Sequence, residues 1–191
     1  MAFASGNSGS GNAAKAGAGV PATSRAAVPV SAQAPAPASA PPRVVAPGQR
    51  ITDGLGNTIW LTTDGRHVVT TPLAPGEKGP AQEQAKQVLS DNFGRDSINA
   101  RVFGGGGGVL YTGAYRGSGA LAKVTVEVAG ETLEAQVVTL AGTPGWAVYY
   151  VDGPAVRRDK ETRQGASPVI TGYTADGRVL AKLAPPAAAG K

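Results

Sequence analysis

The chain has no cysteine, and His67 is its single histidine among 191 residues. Without thiols there is no disulfide framework, no thiolate metal site and no cysteine nucleophile. One imidazole cannot build a histidine-based metal centre, so neither a metal nor another cofactor is expected. No apolar run reaches the roughly 18 residues of a membrane span or the roughly 7 to 15 of a signal-peptide core. Membrane attachment is therefore expected only through an anchor that this chain lacks.

Acidic residues are missing from the first 48 positions, which are almost wholly Ala, Gly, Ser and Pro with Phe3 the one aromatic. Such a segment buries too little apolar surface to offset a backbone entropy loss of about 1 to 2 kcal/mol per residue. Residues 1–48 are expected to be a disordered linker or stalk, flexible where Gly and Ser dominate and stiffer along APAPASAPP. The same reasoning makes 186–191 a disordered tail. Lys15, Arg25 and Arg43 lie in the stalk, leaving 15 basic against 13 acidic residues from position 49 onward. That near-neutral balance argues against a nucleic-acid partner.

What is present from 49 to 185 is the texture of a mainly β domain. TIWLTTDGRHVVTT reads as a hairpin on the two-residue turn Asp64-Gly65, setting Leu61 opposite Val68 and Trp60 opposite Val69. LAKVTVEV and ETLEAQVVTL flank Ala129-Gly130. That register puts Ala122, Val124, Val126, Leu133, Ala135 and Val137 on a core face, with Lys123, Thr125, Glu127, Thr132, Glu134 and Gln136 on a wet one. INARVF, VLYTGAYRG, GWAVYYVD, PVITGYT and RVLAKL add further strands. AQEQAKQVLSDNF, 81–93, carries Pro80 before it, Glu83 in its first turn and Ala81, Ala85, Val88 and Leu89 at helical spacing, which predicts one short helix. The expected architecture is an antiparallel sandwich or open barrel of about seven or eight strands with that helix. The charged stretch GPAVRRDKETRQGASP, 153–168, is expected to be an exposed, mobile loop.

Candidate chemistries are few. The five glycines 104–108 precede strand residues rather than a helix, and no lysine follows until Lys123, so they read as slack or a bulge rather than a phosphate cradle. His67 has only Asp64 nearby as an orienting acid, and Ser118 in RGSGA lacks the spacing of a nucleophile elbow, so His67 reads as a strand histidine facing Thr62. Glu127 and Glu134 are diagonal neighbours about 7 Å apart by strand geometry. They serve a carboxylate-dependent glycan hydrolase only if they line a concave cleft; otherwise they form a solvated ladder with Lys123. Tyr111 and Tyr115 share a strand face with Gly113 between them, and Trp146, Val148 and Tyr150 share another. The tyrosine face is either a flat platform for sugars or a proline-rich peptide, or the aromatic half of a core; Trp60 and Trp146 are the expected core members. Arg157, Arg158, Lys160 and Arg163 outnumber Asp159 and Glu161, making 157–163 a candidate docking loop for an anionic wall polymer or acidic protein.

Three stretches, NTIWLTTDGRHVVTTP, YTGAYRGSGALAKVTVEVAGETLEAQVVTLAGTPGWAVYYVDGP and VITGYTADGRVLAKL, together resemble a group of uncharacterised extracytoplasmic domains of high-GC actinomycetes. In that group a β-rich domain follows a membrane helix and a Pro/Ala/Ser-rich stalk. The resemblance implies a location at the cell envelope and passes on no catalytic role. The expected function is non-catalytic: a binding or sensor domain on a stalk, engaging a protein or wall polymer through Tyr111, Gly113, Tyr115 and the 157–163 loop. A structural or assembly protein with an extended N-terminal arm is the first alternative.

Overall fold

A computed structural model describes residues 40–73, 76, 78–90, 92–105, 108–142, 144–154 and 167–185. The chain is mainly β: thirteen strands and no helix among the described residues. In order they are β1 Arg43–Val45, β2 Ile51–Thr52, β3 Thr58–Leu61, β4 Arg66–Thr71, β5 Gln82–Gln87, β6 Ser97–Ile98, β7 Arg101–Gly105, β8 Gly108–Arg116, β9 Lys123–Val128, β10 Glu131–Leu140, β11 Trp146–Gly153, β12 Val169–Tyr173 and β13 Val179–Leu183.

Nine strands form one sheet in the order β13-β12-β9-β10-β11-β8-β6, with β1 parallel to β10 and β7 antiparallel to β8. β13 comes back close to β6, so the sheet curls into a nearly closed barrel. Its interior is filled by Tyr111, Tyr115, Val124, Val126, Tyr149 and Ile170 with their neighbours. The other four strands make a second sheet, β2-β3-β4-β5. Its Ile59, Leu61 and Val69 pack on Leu110, Ala114 and Val148, on the outer face of the barrel wall. β8 is thus buried on both faces along most of its length. This is why VLYTGAY is apolar at nearly every position instead of alternating.

The β9–β10 hairpin has the register expected from its turn: Leu133 faces Val126 and Ala135 faces Val124. Ala129 at φ 52° and Gly130 at φ 84° give the doubly left-handed turn that matches strand twist. The β3–β4 hairpin differs from expectation by one residue, with Trp60 opposite Val68 and Leu61 opposite His67. Its loop has three residues, not two. Thr62 N–H donates to Arg66 O at 3.0 Å, Gly65 N–H to Thr62 O at 3.1 Å and Arg66 N–H to Thr62 Oγ1 at 3.0 Å. Thr62 Oγ1 in turn donates to Asp64, and Gly65 takes φ 82°. The same T-x-D-G-R device closes β12–β13 at Thr174–Arg178.

The helix expected over 81–93 is absent. Gln82–Gln87 instead pairs antiparallel with β4, from Arg66↔Gln87 to Thr71↔Gln82. Of the four residues at helical spacing only Val88 enters the core, while Ala85 and Leu89 stay exposed. A helix there would bury almost no apolar stripe, whereas a strand satisfies the backbone of the β4 edge. The folded unit also begins earlier than position 49. Arg43–Val45 is a strand, and Val45 is buried beside Leu140 and Trp146. The glycine run closes a hairpin, with Gly104 opposite Val109 and Gly105 opposite Gly108. Most of the stalk, the C-terminal tail and residues 155–166 lie outside the described residues.

Candidate functional site

The tyrosine face does not form a platform. Tyr111 is 2% and Tyr115 1% exposed, both inside the barrel, because the face they share is the one the closing sheet covers. Gly113 lies between them for a different reason from a flat surface. A Cβ there would overlap Asn99 O and the Tyr149 ring, and the Tyr149 hydroxyl passes over Gly113 to donate to Asn99 O at 2.7 Å. Burial drives the Tyr149 pKa well above its usual value. Trp146, Val148 and Tyr150 do share the opposite face, and Trp60 and Trp146 are core residues. Arg50 stacks on Trp60 at 4.0 Å.

The remaining candidates separate. Arg157, Arg158, Lys160 and Arg163 lie outside the described residues. Tyr111 donates to Pro154 O at 2.9 Å, anchoring the point where β11 leads toward them. Glu127 and Glu134 are exposed, and Lys123 Nζ stands 2.9 Å from Glu134. Glu127 faces Thr132 next to the β9–β10 turn.

His67 is 1% exposed, not a half-covered residue facing Thr62. It lies between the two sheets with Nε2 3.4 Å from Thr112 Oγ1, which itself donates to Tyr149 O at 2.6 Å. Burial, with a smaller contribution from the Arg101 charge, lowers its pKa to about 3. The imidazole is therefore neutral and unavailable as a surface base.

What the structure does assemble is a cleft at one end of the barrel. The pairings Trp146↔Arg116, Ser97↔Arg116 and Tyr173↔Lys123 bring the 117–121 loop, the 141–145 turn and the 93–96 loop to the same end. A cavity of about 380 Å³ there is lined by Pro42, Tyr115, Leu121, Pro144, Trp146 and Ala147, among others. A second, of about 310 Å³, is lined by Leu89, Arg95, Asp96 and Arg116 and shares Gly117, Ser118, Pro144 and Gly145 with the first. The two form an apolar and a charged compartment of one cleft, each within the size range of ligand sites.

Local geometry holds the charged half in place. Arg116 Nη1 donates to Ser90 O at 2.5 Å and Phe93 O at 2.8 Å, fixing the 90–93 loop. Asp96 takes φ 52°, a left-handed conformation that Asp tolerates better than most residues, and its Oδ1 accepts from Ser118 N–H at 3.3 Å. The Tyr115 hydroxyl lies against Gly117 and Gly119 at the cleft floor, buried beside the Asp96 carboxylate. Burial and then the Asp96 carboxylate raise its pKa, with Gly119 and Arg178 acting the other way. Of the ligand-binding candidates among the described residues, Tyr115 lines the cleft and Tyr111 and Gly113 do not; Ser118 and Trp146, weighed for other roles, line it too. Compared with known proteins, the chain matches no family model, no curated protein and no solved structure.

Proposed function

We propose that this protein is a non-catalytic binding or sensor domain, displayed outside the cell on its Ala/Pro/Gly/Ser-rich stalk, that takes a protein or wall-polymer partner into the barrel-end cleft. The observation that carries the reading is the cleft itself: an apolar and an arginine-bearing compartment made continuous by shared glycines. Pro42, immediately ahead of β1, lines it, so the stalk joins the folded unit beside the bound partner. No imidazole stands near the cleft to activate Ser118, because the one histidine is enclosed between the sheets.

Ala120 is exposed on the cleft wall, so Ala120→Trp fills the apolar compartment without disturbing the core. The full chain and this variant, immobilised at equal density, are to be exposed to wall polymer and secreted proteins. Retention by the wild type that disappears in Ala120→Trp, at unchanged melting temperature, is the expected result. Equal retention by both, or by neither, removes the reading.

A further inference from the structure

Among the described residues, charge in the cleft is not balanced: Arg95 and Arg116 line the charged compartment with Asp96 as the one described acid. Asp96 already accepts from the Ser118 backbone, and neither arginine makes an ion pair with a described carboxylate. Arg95 is exposed, and Arg116 spends two hydrogen bonds on backbone carbonyls that do not neutralise it. A guanidinium facing a compartment with spare donors is suited to a carboxylate, which it meets in a planar, bidentate way. The adjoining compartment is walled by Leu121, Pro144 and Trp146. On the wall of that apolar compartment, the backbone N–H groups of Ala120 and Leu121 make no hydrogen bond within the described residues.

Resting on the binding function proposed above, we infer that the cleft takes the carboxyl terminus of a peptide: the terminal carboxylate against Arg95 and Arg116, and the apolar side chain of the last residue in the Leu121–Trp146 compartment. The amides of Ala120 and Leu121 supply donors for a peptide carbonyl, which a simple fatty acid does not use. Charge and apolar volume adjoin across Gly117, Ser118, Pro144 and Gly145, and this selects an apolar final residue over a charged one.

The test uses the full chain and fluorescein-labelled hexapeptides ending in leucine or phenylalanine, each as free acid and as C-terminal amide, read by anisotropy. The free acid is expected to bind about tenfold or more tighter than the amide, the worth of one charged hydrogen bond. That preference is expected to fall to about twofold or less in Arg95→Ala, with circular dichroism unchanged, since Arg95 is exposed and holds no described partner. Ala120→Trp should remove both. Equal binding of acid and amide, or an acid preference that survives Arg95→Ala, overturns the inference. Peptides that fail to bind while envelope-fraction retention still depends on Ala120 overturn it too and leave the binding function standing; retention indifferent to Ala120→Trp removes both. Binding of octanoate with Arg95 dependence, in the absence of peptide binding, assigns the cleft to a lipid instead.

Discussion

β8 serves two cores of different chemistry. On one side, Tyr111 and Tyr115 join an interior of valines, Ile170 and Tyr149, closed by the barrel. On the other, Leu110, Thr112 and Ala114 meet the second sheet in a layer that also contains His67. Thirteen strands therefore do not make a uniform molecule. The interior rests on packing and on tyrosine hydroxyls bonded to backbone carbonyls, while the layer between the sheets depends on an imidazole remaining neutral. Packing damage and acid should strike different places.

The largest expected effect is the acid one. The His67 pKa of about 3 lies below its ordinary value of 6.5, so between those values the unfolded chain binds a proton that the folded chain refuses. Stability is whole above about pH 6.5 and falls as pH drops toward 3, by up to roughly 5 kcal/mol at about 1.4 kcal/mol per pH unit. Denaturant midpoints measured across pH 3 to 8 should show this slope, and His67→Gln, which keeps a donor for Thr112 but does not titrate, should flatten it. A slope unchanged in His67→Gln would erase the distinction between the two cores.

The interior should answer to volume and be indifferent to pH over the same range. Ile170→Ala empties a fully buried site facing Val126, with an expected loss of about 3 kcal/mol at any pH where the wild type folds. Gly113→Ala should cost about 3 kcal/mol or more, because the added methyl overlaps the Asn99 backbone carbonyl, which must move, as well as the Tyr149 ring and hydroxyl bonded to it. Chemical denaturation at pH 5 and pH 8 checks both.

The smallest effect belongs to the rim of the layer between the sheets. Asp152 on β11 accepts from Gly54 N–H at 2.7 Å, tying the β2–β3 turn to the barrel. Burial, and then the neighbouring Asp53, raise its pKa. A carboxyl with a raised pKa contributes most in its protonated form, below pH 3.8, and that contribution is lost as pH rises through the raised value. Asp152→Asn keeps an acceptor for Gly54 and removes the charge, so at pH 7 it should match or exceed wild-type stability, within about 0.5 kcal/mol. A clear loss at pH 7 would mean that the ionised carboxylate itself holds the turn.

The same two regions explain what was legible in the sequence. β9–β10 alternates strictly and its turn has left-handed residues at both centres, so its register could be read directly. β8 shows no alternation, because both faces are covered. Sequence pattern therefore put Tyr111 and Tyr115 on one face without revealing that a closing sheet hides it. Asp64-Gly65 looks like a two-residue turn, and only the Thr62 side chain, bonded to the Arg66 amide, makes it three. Residues 81–93 have helical spacing but too little apolar surface to hold a helix against the open edge of β4. The cleft was not visible at all. Its walls come from four separated segments, and Pro42, Gly117, Gly119 and Pro144 carry no local signal beyond that of a turn.

Where a partner touches this molecule is the claim on which the functional account stands, and amide hydrogen exchange of the full chain with and without wall polymer and secreted proteins measures it directly. The account predicts slowed exchange in 117–121 and 145–147, around the cleft. Slowing confined to the β9–β10 turn and the Glu127–Glu134 surface, with 117–121 unchanged, would contradict it.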